Sequence, residues 1–566
     1  MVLQRVFLFG FFVWSQVVAD VFVVAPLKGG VNTVTGARPF RKDLETLNGP
    51  ERDLYLQAIA EIQKADETDK LSWFQLAGIH GLPVATWDNV APYKNNPGNV
   101  GYAVHGCQLF LPWHRAYVLL LENIVSSHAL DIAKRYPVGT RSTYITAAQN
   151  LRLPYWGWEK KPAVPSLVMD RTVKINSPNG PTTIDNPLEA FSFHPPISPE
   201  WAFYNGVDRT FRCPDSQFHT NYTKFEDDWI STCANCRKDL YSTYMDGSDS
   251  WPQAATGGGG NIGIENIHGQ LHTVLGGYMV DIQASAFDPA FFLHHVNVDR
   301  IWEIWSAIHP TNKYIESRTC NAETFASPAP IGENLTSPLY PFHMDSRGSF
   351  HTPQSVHYTK DLGYAYEDVQ DWKFSNPDQL AADVISRVKR EYQDLAGKKF
   401  VSQSDTNNTA SAATQPKRWI IDFNLTLDTD QSAIVYFFYG QPPSNPDTWK
   451  TAENLAAFQA IPMNAQITLR SAQKIIAPID AKVASSGNSK AVAPPAPLTD
   501  GAIPQFLKDQ LDWRVAVSNG LNSTIATAPN ITIQVGDQAI LSVDDNGLTK
   551  YGSITMHPDL AWSCTK

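Results

Sequence analysis

A polar segment shortly after residue 400 divides the chain into two parts whose apolar residues follow different periods. Before it, apolar side chains recur at helical spacing over residues 42–67, 114–134 and 289–308, and more weakly over 377–396. After it, runs rich in β-branched and aromatic residues indicate strands at 419–426, 433–439, 531–535 and 539–543. We therefore predict a mainly α-helical domain with long loops over 20–397, a linker over 398–418 and a smaller β domain over 419–566.

The composition is that of a folded globular protein, with 43% hydrophobic and 18% charged residues among 566. The net charge of −11, without any basic block, argues against nucleic acid as a partner. Beyond the N-terminus, no stretch approaches the roughly 18 consecutive apolar residues that a membrane helix requires.

The first 19 residues predict secretion. Arg5 is followed by an apolar run that is too short to span a bilayer and that ends in small residues at Ala19. This arrangement is typical of a cleaved signal peptide. The extracellular compartment makes glycosylation possible at six Asn-x-Ser/Thr sites, which are Asn221, Asn334, Asn407, Asn424, Asn522 and Asn530.

The six cysteines also fit an oxidising compartment. They are Cys107, Cys213, Cys233, Cys236, Cys320 and Cys564, and an even number predicts disulfides whose pairing the sequence cannot choose. Cys233 and Cys236 have the spacing of a zinc or redox pair. Because no second such pair accompanies them, we expect disulfide bonding instead.

Histidine spacing is the strongest chemical signal in the chain. His268 and His272 are four residues apart, so a helix would place both on one face, where they can hold one metal ion. The zinc-protease motif requires Glu directly after the first histidine, and Gly269 occupies that position. His294 and His295 follow an Asp-Pro helix start at 288–289. Adjacent helical residues diverge, and the spacing does not say which of the two faces the metal.

A second set of histidines lies in the first half of the chain. His105 and His114 are nine residues apart and would lie on opposite faces of one continuous helix. If both bind one metal, His105 must lie in a loop and His114 within the helix that follows. His80 is a plausible third member of this set.

Six imidazoles without a carboxylate or thiolate favour copper over zinc. Di-iron bundle proteins use Glu-x-x-His pairs, and Glu265 with His268 provides that spacing only once. Two copper ions held in this way can bind O2 as co-substrate and take electrons from a bound phenol.

Two long runs then show a family resemblance. Residues 105–122 resemble the first copper-binding signature of tyrosinases and catechol oxidases, and residues 288–300 resemble the second. The likeness extends over about residues 20–395 and, through 435–440, into the C-terminal part. The chain resembles the fungal polyphenol oxidases, which belong to the type-3 copper proteins.

This resemblance implies the ligands, the architecture and the regulation. It implies His80, His105 and His114 on one copper and His268, His272 and His295 on the other, with His294 as a neighbour. It also implies a helical bundle around the metals and a β-sandwich that covers the site until it is cut away. Cleavage is expected in the linker. Lys417–Arg418 is one candidate, and an uncut surface pair is the alternative.

Two positions depart from the family pattern. Ala103 replaces a cysteine that often forms a thioether with the histidine two residues later, so that bond should be absent and Cys107 is better assigned to a disulfide. Gly269 replaces the Asn or Asp that, together with Glu265, is thought to hold a phenol-deprotonating water. We therefore expect a catechol oxidase with weak monophenol hydroxylation and with Glu265 as the remaining base. Full tyrosinase activity and haemocyanin-like oxygen binding are the alternatives.

Other expectations concern residues around the metals. Asn297 and Asp299 are placed to orient imidazoles through hydrogen bonds, and Thr273 to border the substrate cleft. The glycine-rich run 258–263 matches a dinucleotide-binding pattern in form only, since no apolar strand precedes it. We expect a loop leading into the His268 helix.

Overall fold

The computed structural model describes residues 21–95, 100–194, 207–392, 417–463, 469–475 and 501–564, apart from short gaps at 216, 218, 248–249, 313, 429, 519–522 and 527–528. The predicted signal peptide lies outside the described residues. So do most of the linker and the sequons Asn407 and Asn522. None of the helices in the described ranges is long and apolar enough to cross a membrane.

The N-terminal part is a helical domain with long loops, as predicted. Its helices are α1 (Gly49–Lys64), α2 (Trp73–Gly78), α3 (Phe110–Arg135), α4 (Val138–Asn150), α5 (Ser166–Met169), α6 (Tyr222–Met245), α7 (Trp251–Thr256), α8 (Ile264–Leu275), α9 (Ala290–Ile308), α10 (Pro353–Val356), α11 (Thr359–Leu362) and α12 (Pro377–Tyr392). Two small hairpins accompany them, β1 (Thr172–Ser177) with β2 (Gly180–Asp185) and β3 (Arg318–Cys320) with β4 (Ile331–Glu333).

The C-terminal part forms two antiparallel sheets. Its elements are β5 (Lys417–Thr426), β6 (Ser432–Tyr439), β7 (Leu455–Ile461), β8 (Leu469–Ile475), helix α13 (Ile503–Gln510), β9 (Leu511–Ser518), β10 (Ser523–Ile525), β11 (Asn530–Val543), β12 (Thr549–Tyr551) and β13 (Thr555–Cys564). One sheet has the order β10-β9-β6-β7, and the other has β12-β11-β5-β8 with β13 also paired to β11. Phe423 and Phe437 meet between the sheets in a shared apolar core, which confirms the predicted β-sandwich.

Three predicted element boundaries were wrong. Helix α1 begins at Gly49 rather than at 42, because Pro50 suits a first helical turn and Asp43 instead bridges to Tyr155. The two strands predicted over 531–543 are the single strand β11, whose pairing register shifts near Gly536. Helix α3 begins at Phe110, since Pro112 is tolerated in its first turn.

The predicted linker is also shorter than expected. Lys417 and Arg418 already belong to β5 and pair with Ala539 and Gln538 of β11. Arg418 is only 9% exposed, so the dibasic bond is not presented as a flexible segment that a protease could bind. The domain boundary therefore falls between Tyr392, where α12 ends, and Lys417.

The cysteines form one disulfide among the described residues. Cys107 joins Cys320 across 213 residues, which confirms the assignment of Cys107 to a disulfide. The expectation for the Cys233 and Cys236 pair was wrong. Both lie within α6, and the reduced thiol of Cys233 contacts the backbone oxygen of Trp158 at 3.3 Å.

Candidate metal centre

The first histidine set gathers around the start of α3. His80 follows α2, His105 lies in the loop before α3, and His114 lies within that helix, as the spacing required. The ring centroids of His80 lie 5.2 Å from His105 and 5.5 Å from His114, and those of His105 and His114 are 5.2 Å apart. Their ligand atoms lie close enough to share one metal ion.

The second set lies between α8 and α9. His268 and His272 share one face of α8, with ring centroids 4.9 Å apart. Both His294 and His295 approach them from α9, and all four residues offer ligand atoms within 4.8 Å of one another. His294 stacks over His268, whereas His295 stacks over His114 at 4.4 Å. His295 therefore lies between the two sets.

Backbone carbonyls fix the tautomers of these imidazoles. The Nδ1–H of His80 donates to Ile282 at 2.8 Å, that of His114 donates to Phe110 at 2.8 Å, and that of His272 donates to Met279 at 2.6 Å. His268 donates in the same way to Glu265. A carbonyl can only accept, so each Nε2 of these rings carries a free lone pair.

In the first set, the Nε2 lone pairs of His80 and His114 lie close together. His80 Nε2 and His114 Nε2 are 3.4 Å apart, and neither has a proton to donate to the other. The ring nitrogens of His294 and His295 are buried without hydrogen-bond partners among the described residues. Burial lowers the pKa of His80 to about 3 and that of His272 to about 4, so the rings are neutral near pH 7. Buried, neutral imidazoles whose nitrogen lone pairs converge can bind a metal cation.

Aromatic rings hold the imidazoles in place. Phe110 lies between the sets, with its ring centroid 4.5 Å from His114 and 4.7 Å from His268. Phe291 packs 4.2 Å from His295 and 4.9 Å from His80. Both residues lie within the two signature runs, but nothing in their spacing predicts that they pack against the imidazoles.

Glu265 lies at the edge of the centre, at the start of α8. Its carboxylate accepts the backbone N–H of Gly106 at 2.7 Å, which links α8 to the loop that carries His105. Burial raises the pKa of Glu265 to about 8, against the lowering effect of that hydrogen bond. The role of Glu265 as a base stays a prediction.

The expected contacts of Asn297 and Asp299 with imidazoles are not those found in the structure. Asn297 donates to Glu159 at 2.6 Å. Asp299 is buried in an ionic network with Arg41 and Arg115, and it accepts the hydroxyls of Tyr364 and Tyr366. These contacts of Asp299 hold α9 in position. For Asp299 and Arg115 the sequence signal was a charged residue on an otherwise apolar helix.

The C-terminal domain packs directly on α8. An added Cβ at Gly269 would lie 3.1 Å from Pro462, which follows β7, so the missing side chain makes room for this contact. Gln459 of β7 donates to the backbone oxygen of Asn266 at 3.4 Å. Thr273 donates to the Gly269 oxygen and lines a cavity of about 630 Å³ between the domains.

Residues farther from the metals complete the interface. Lys450 pairs with Asp228 at 2.6 Å, and Arg418 pairs with Asp246 at 3.3 Å. Gln538 donates to the oxygen of Gly259 at 2.9 Å. The glycine-rich run is therefore a loop before α8, as predicted, and the C-terminal domain holds it.

A helical bundle that brings two sets of neutral imidazoles together beneath a β-sandwich defines a dinuclear, histidine-ligated metal protein. Residues 70–308 match the common central domain of tyrosinase, and residues 419–535 match the tyrosinase C-terminal domain. The chain belongs to the tyrosinase family, a type-3 dicopper family, and its histidine sets are suited to two copper ions.

Similar proteins agree with this placement. The chain is 32% identical to a tyrosinase of Neurospora crassa over 63% of its own length and 56% of that protein. It is 30% identical to a tyrosinase of Podospora anserina over 70% of its own length and 73% of that protein. A mushroom tyrosinase crystallised in latent and active forms shares the fold, with a TM-score of 0.74 at 23% identity over 95% of this chain and 99% of that one.

Proposed function

We propose that this chain is a secreted dicopper oxidase that uses O2 to convert o-diphenols into o-quinones. The facing Nε2 atoms of His80 and His114, 3.4 Å apart and both without a proton, carry this proposal. Family membership and the second set of imidazoles support it. The copper ions would supply the redox chemistry, in which two catechols become two o-quinones while one O2 becomes two waters.

We assign His80, His105 and His114 to one copper, and His268, His272 and His295 to the other. The stacking of His295 over His114 supports its choice over His294, because it places His295 between the two sets. The carbonyl acceptors behind His80, His114 and His272 hold these rings as neutral ligands.

Glu265 is the residue we assign to accept the phenolic proton. The raised pKa brings the carboxylate closer in basicity to a phenol, so Glu265 can accept the phenolic proton in the molecules in which it is ionised. Gly269 has no side chain to help orient a water, so monophenols should react weakly or after a lag. Replacing Glu265 by Gln keeps the size of the group and an oxygen that can accept from Gly106. We expect Glu265→Gln to reduce monophenol turnover more strongly than catechol turnover.

We further propose that the uncut protein is latent. The contacts of Pro462 and Gln459 with α8 support this, because they occupy the surface beside His268 and His272. Activation would then require cleavage within 398–416, on the N-terminal side of β5, since Arg418 is buried at the domain contact.

Oxygen uptake tests these proposals. The copper-loaded protein, before and after limited proteolysis, is given a catechol and the matching monophenol in parallel. Uptake with catechol after cleavage, with little monophenol turnover, is the expected result. Equal rates with both phenols would assign a full tyrosinase and refute the role given to Gly269. Reversible O2 binding without turnover would favour an oxygen carrier.

A further inference from the structure

A cavity separate from the one between the domains reaches the first histidine set. This cavity of about 240 Å³ is lined by His80 and His105 at its inner end, whereas Asn321 and Ala329 at its outer end are exposed. A buried water needs roughly 10–15 Å³ of such space, so the cavity can hold several waters or a hydrated ion.

The exposure of the histidines agrees with this geometry. His80, His114, His268, His272 and His295 are 1–6% exposed. His105 alone among the six assigned ligands is partly exposed, and it lines the cavity. The C-terminal domain packs on α8 through Pro462, and neither Pro462 nor α8 lines this cavity. The cavity therefore joins two members of the first histidine set to residues that are exposed to solvent.

Small and fixed groups keep the cavity open. Ala103 lines one wall, and its methyl group leaves space that a longer side chain would fill. The disulfide between Cys107 and Cys320 ties the opposite wall, residues 321–323, to the loop that carries His105. A covalent tie of this kind limits how far that wall can close over the histidine.

The outer end of the cavity is polar, but its charged side chains have no large net charge. Glu323 lines it and pairs with Lys94 at 2.5 Å, while the Tyr93 hydroxyl donates to the same carboxylate at 2.6 Å. The negative and positive charges offset each other, so the selectivity for a metal comes from the imidazoles at the inner end. A soft cation that loses water there gains nitrogen ligands at His105 and His80.

We propose that this cavity is the passage by which copper ions enter the centre while the C-terminal domain is in place. The proposal rests on the proposed copper site, but it adds a route that the covering domain does not block. It assigns Ala103, Asn321, Ala322 and Ala329 to metal loading, which is separate from phenol oxidation.

Copper loading of the uncut apoprotein tests the passage. Cu(I) is supplied as a complex with a coloured chelator, and its transfer is followed by stopped-flow absorbance. Ala329→Trp and Ala322→Trp narrow the outer end without touching a ligand. Thr524→Trp is the matched control, because the exposed Thr524 lines the cavity between the domains instead.

We expect both cavity variants to load at least about tenfold more slowly, which corresponds to about 1.4 kcal/mol on the barrier, and still to reach two copper ions per chain. Thr524→Trp should load at the wild-type rate. Wild-type loading by folded Ala329→Trp and Ala322→Trp proteins, or slowing by Thr524→Trp instead, would overturn the proposal. A wild-type chain that binds no copper would overturn the proposed function itself, so the two failures are distinguishable.

Discussion

Arg418 provides the sharpest test of how the two domains are held together. Its guanidinium pairs with Asp246 of the helical domain at 3.3 Å, donates to Gln538 Oε1 at 2.8 Å, and lies 3.4 Å over the ring of Tyr551. The side chains of Arg418 and Asp246 are only 8% and 4% exposed. We therefore expect Arg418→Ala to weaken the contact between the domains in the uncut protein.

The size of the effect follows from the geometry. Breaking a buried ion pair costs about 3–5 kcal/mol when one charge is left without a partner. The distance of 3.3 Å is long for such a pair, and Asp246 has a further interaction. We therefore set the free-energy cost of losing the Arg418–Asp246 pair at about 2 kcal/mol. A change of that size raises the population of the open form by about thirtyfold. The Lys450–Asp228 pair and the Pro462 contact remain, so the domain stays attached.

The assay is catechol-dependent oxygen uptake by the uncut, copper-loaded protein. Lys417→Ala is the matched control, because Lys417 pairs with Asp537 inside the C-terminal domain at 3.1 Å. Arg418→Ala should raise the basal rate, and Lys417→Ala should leave it unchanged. If both variants lower the melting temperature equally and neither raises the basal rate, Arg418 stabilises only the β-sandwich and the reasoning fails.

Three further predictions concern the metals and the loops around them. His295→Ala should lower the copper content from two ions to one per chain by metal analysis, whereas His294→Ala should retain two; the reverse result would exchange their roles. Gly269→Asn should crowd Pro462 and raise the basal rate of the uncut protein, and after cleavage it should raise the ratio of monophenol to catechol turnover in oxygen uptake. Replacing Cys107 and Cys320 by Ser should lower the free energy of unfolding by about 2–4 kcal/mol in denaturant titrations, since the disulfide closes a long loop.

Much of the fold could be predicted because its periodic signals are local. The apolar repeat of α9 and the β-branched and aromatic runs of β5 and β6 predicted these elements nearly residue for residue. The boundary of β5 failed because a long-range contact decides it. Lys417 and Arg418 looked like part of a polar linker, but pairing with β11 and the ion pair to Asp246 draw them into a strand.

The histidines of the site were predictable from their spacing, and their environment was not. Histidines four residues apart on a helix lie on one face, so their spacing alone predicts a metal-binding face. The carbonyls that fix the tautomers at Ile282 and Met279 are backbone groups, for which residue identity gives no signal. The cavity beside Ala103 likewise depends on a disulfide that joins residues 213 positions apart.

Asp299 shows why a motif residue near a ligand need not touch it. It stands one helical turn after His295 on the same face of α9, yet its carboxylate binds Arg41 and Arg115 rather than an imidazole. Those charges pull the pKa of Asp299 below its ordinary value against burial, so it remains ionised. An ionised Asp299 anchors α9 to α3 through Arg115, and this anchor sets where His295 can lie. Its effect on the metals is therefore one of position, transmitted through the helix backbone rather than through a hydrogen bond to an imidazole.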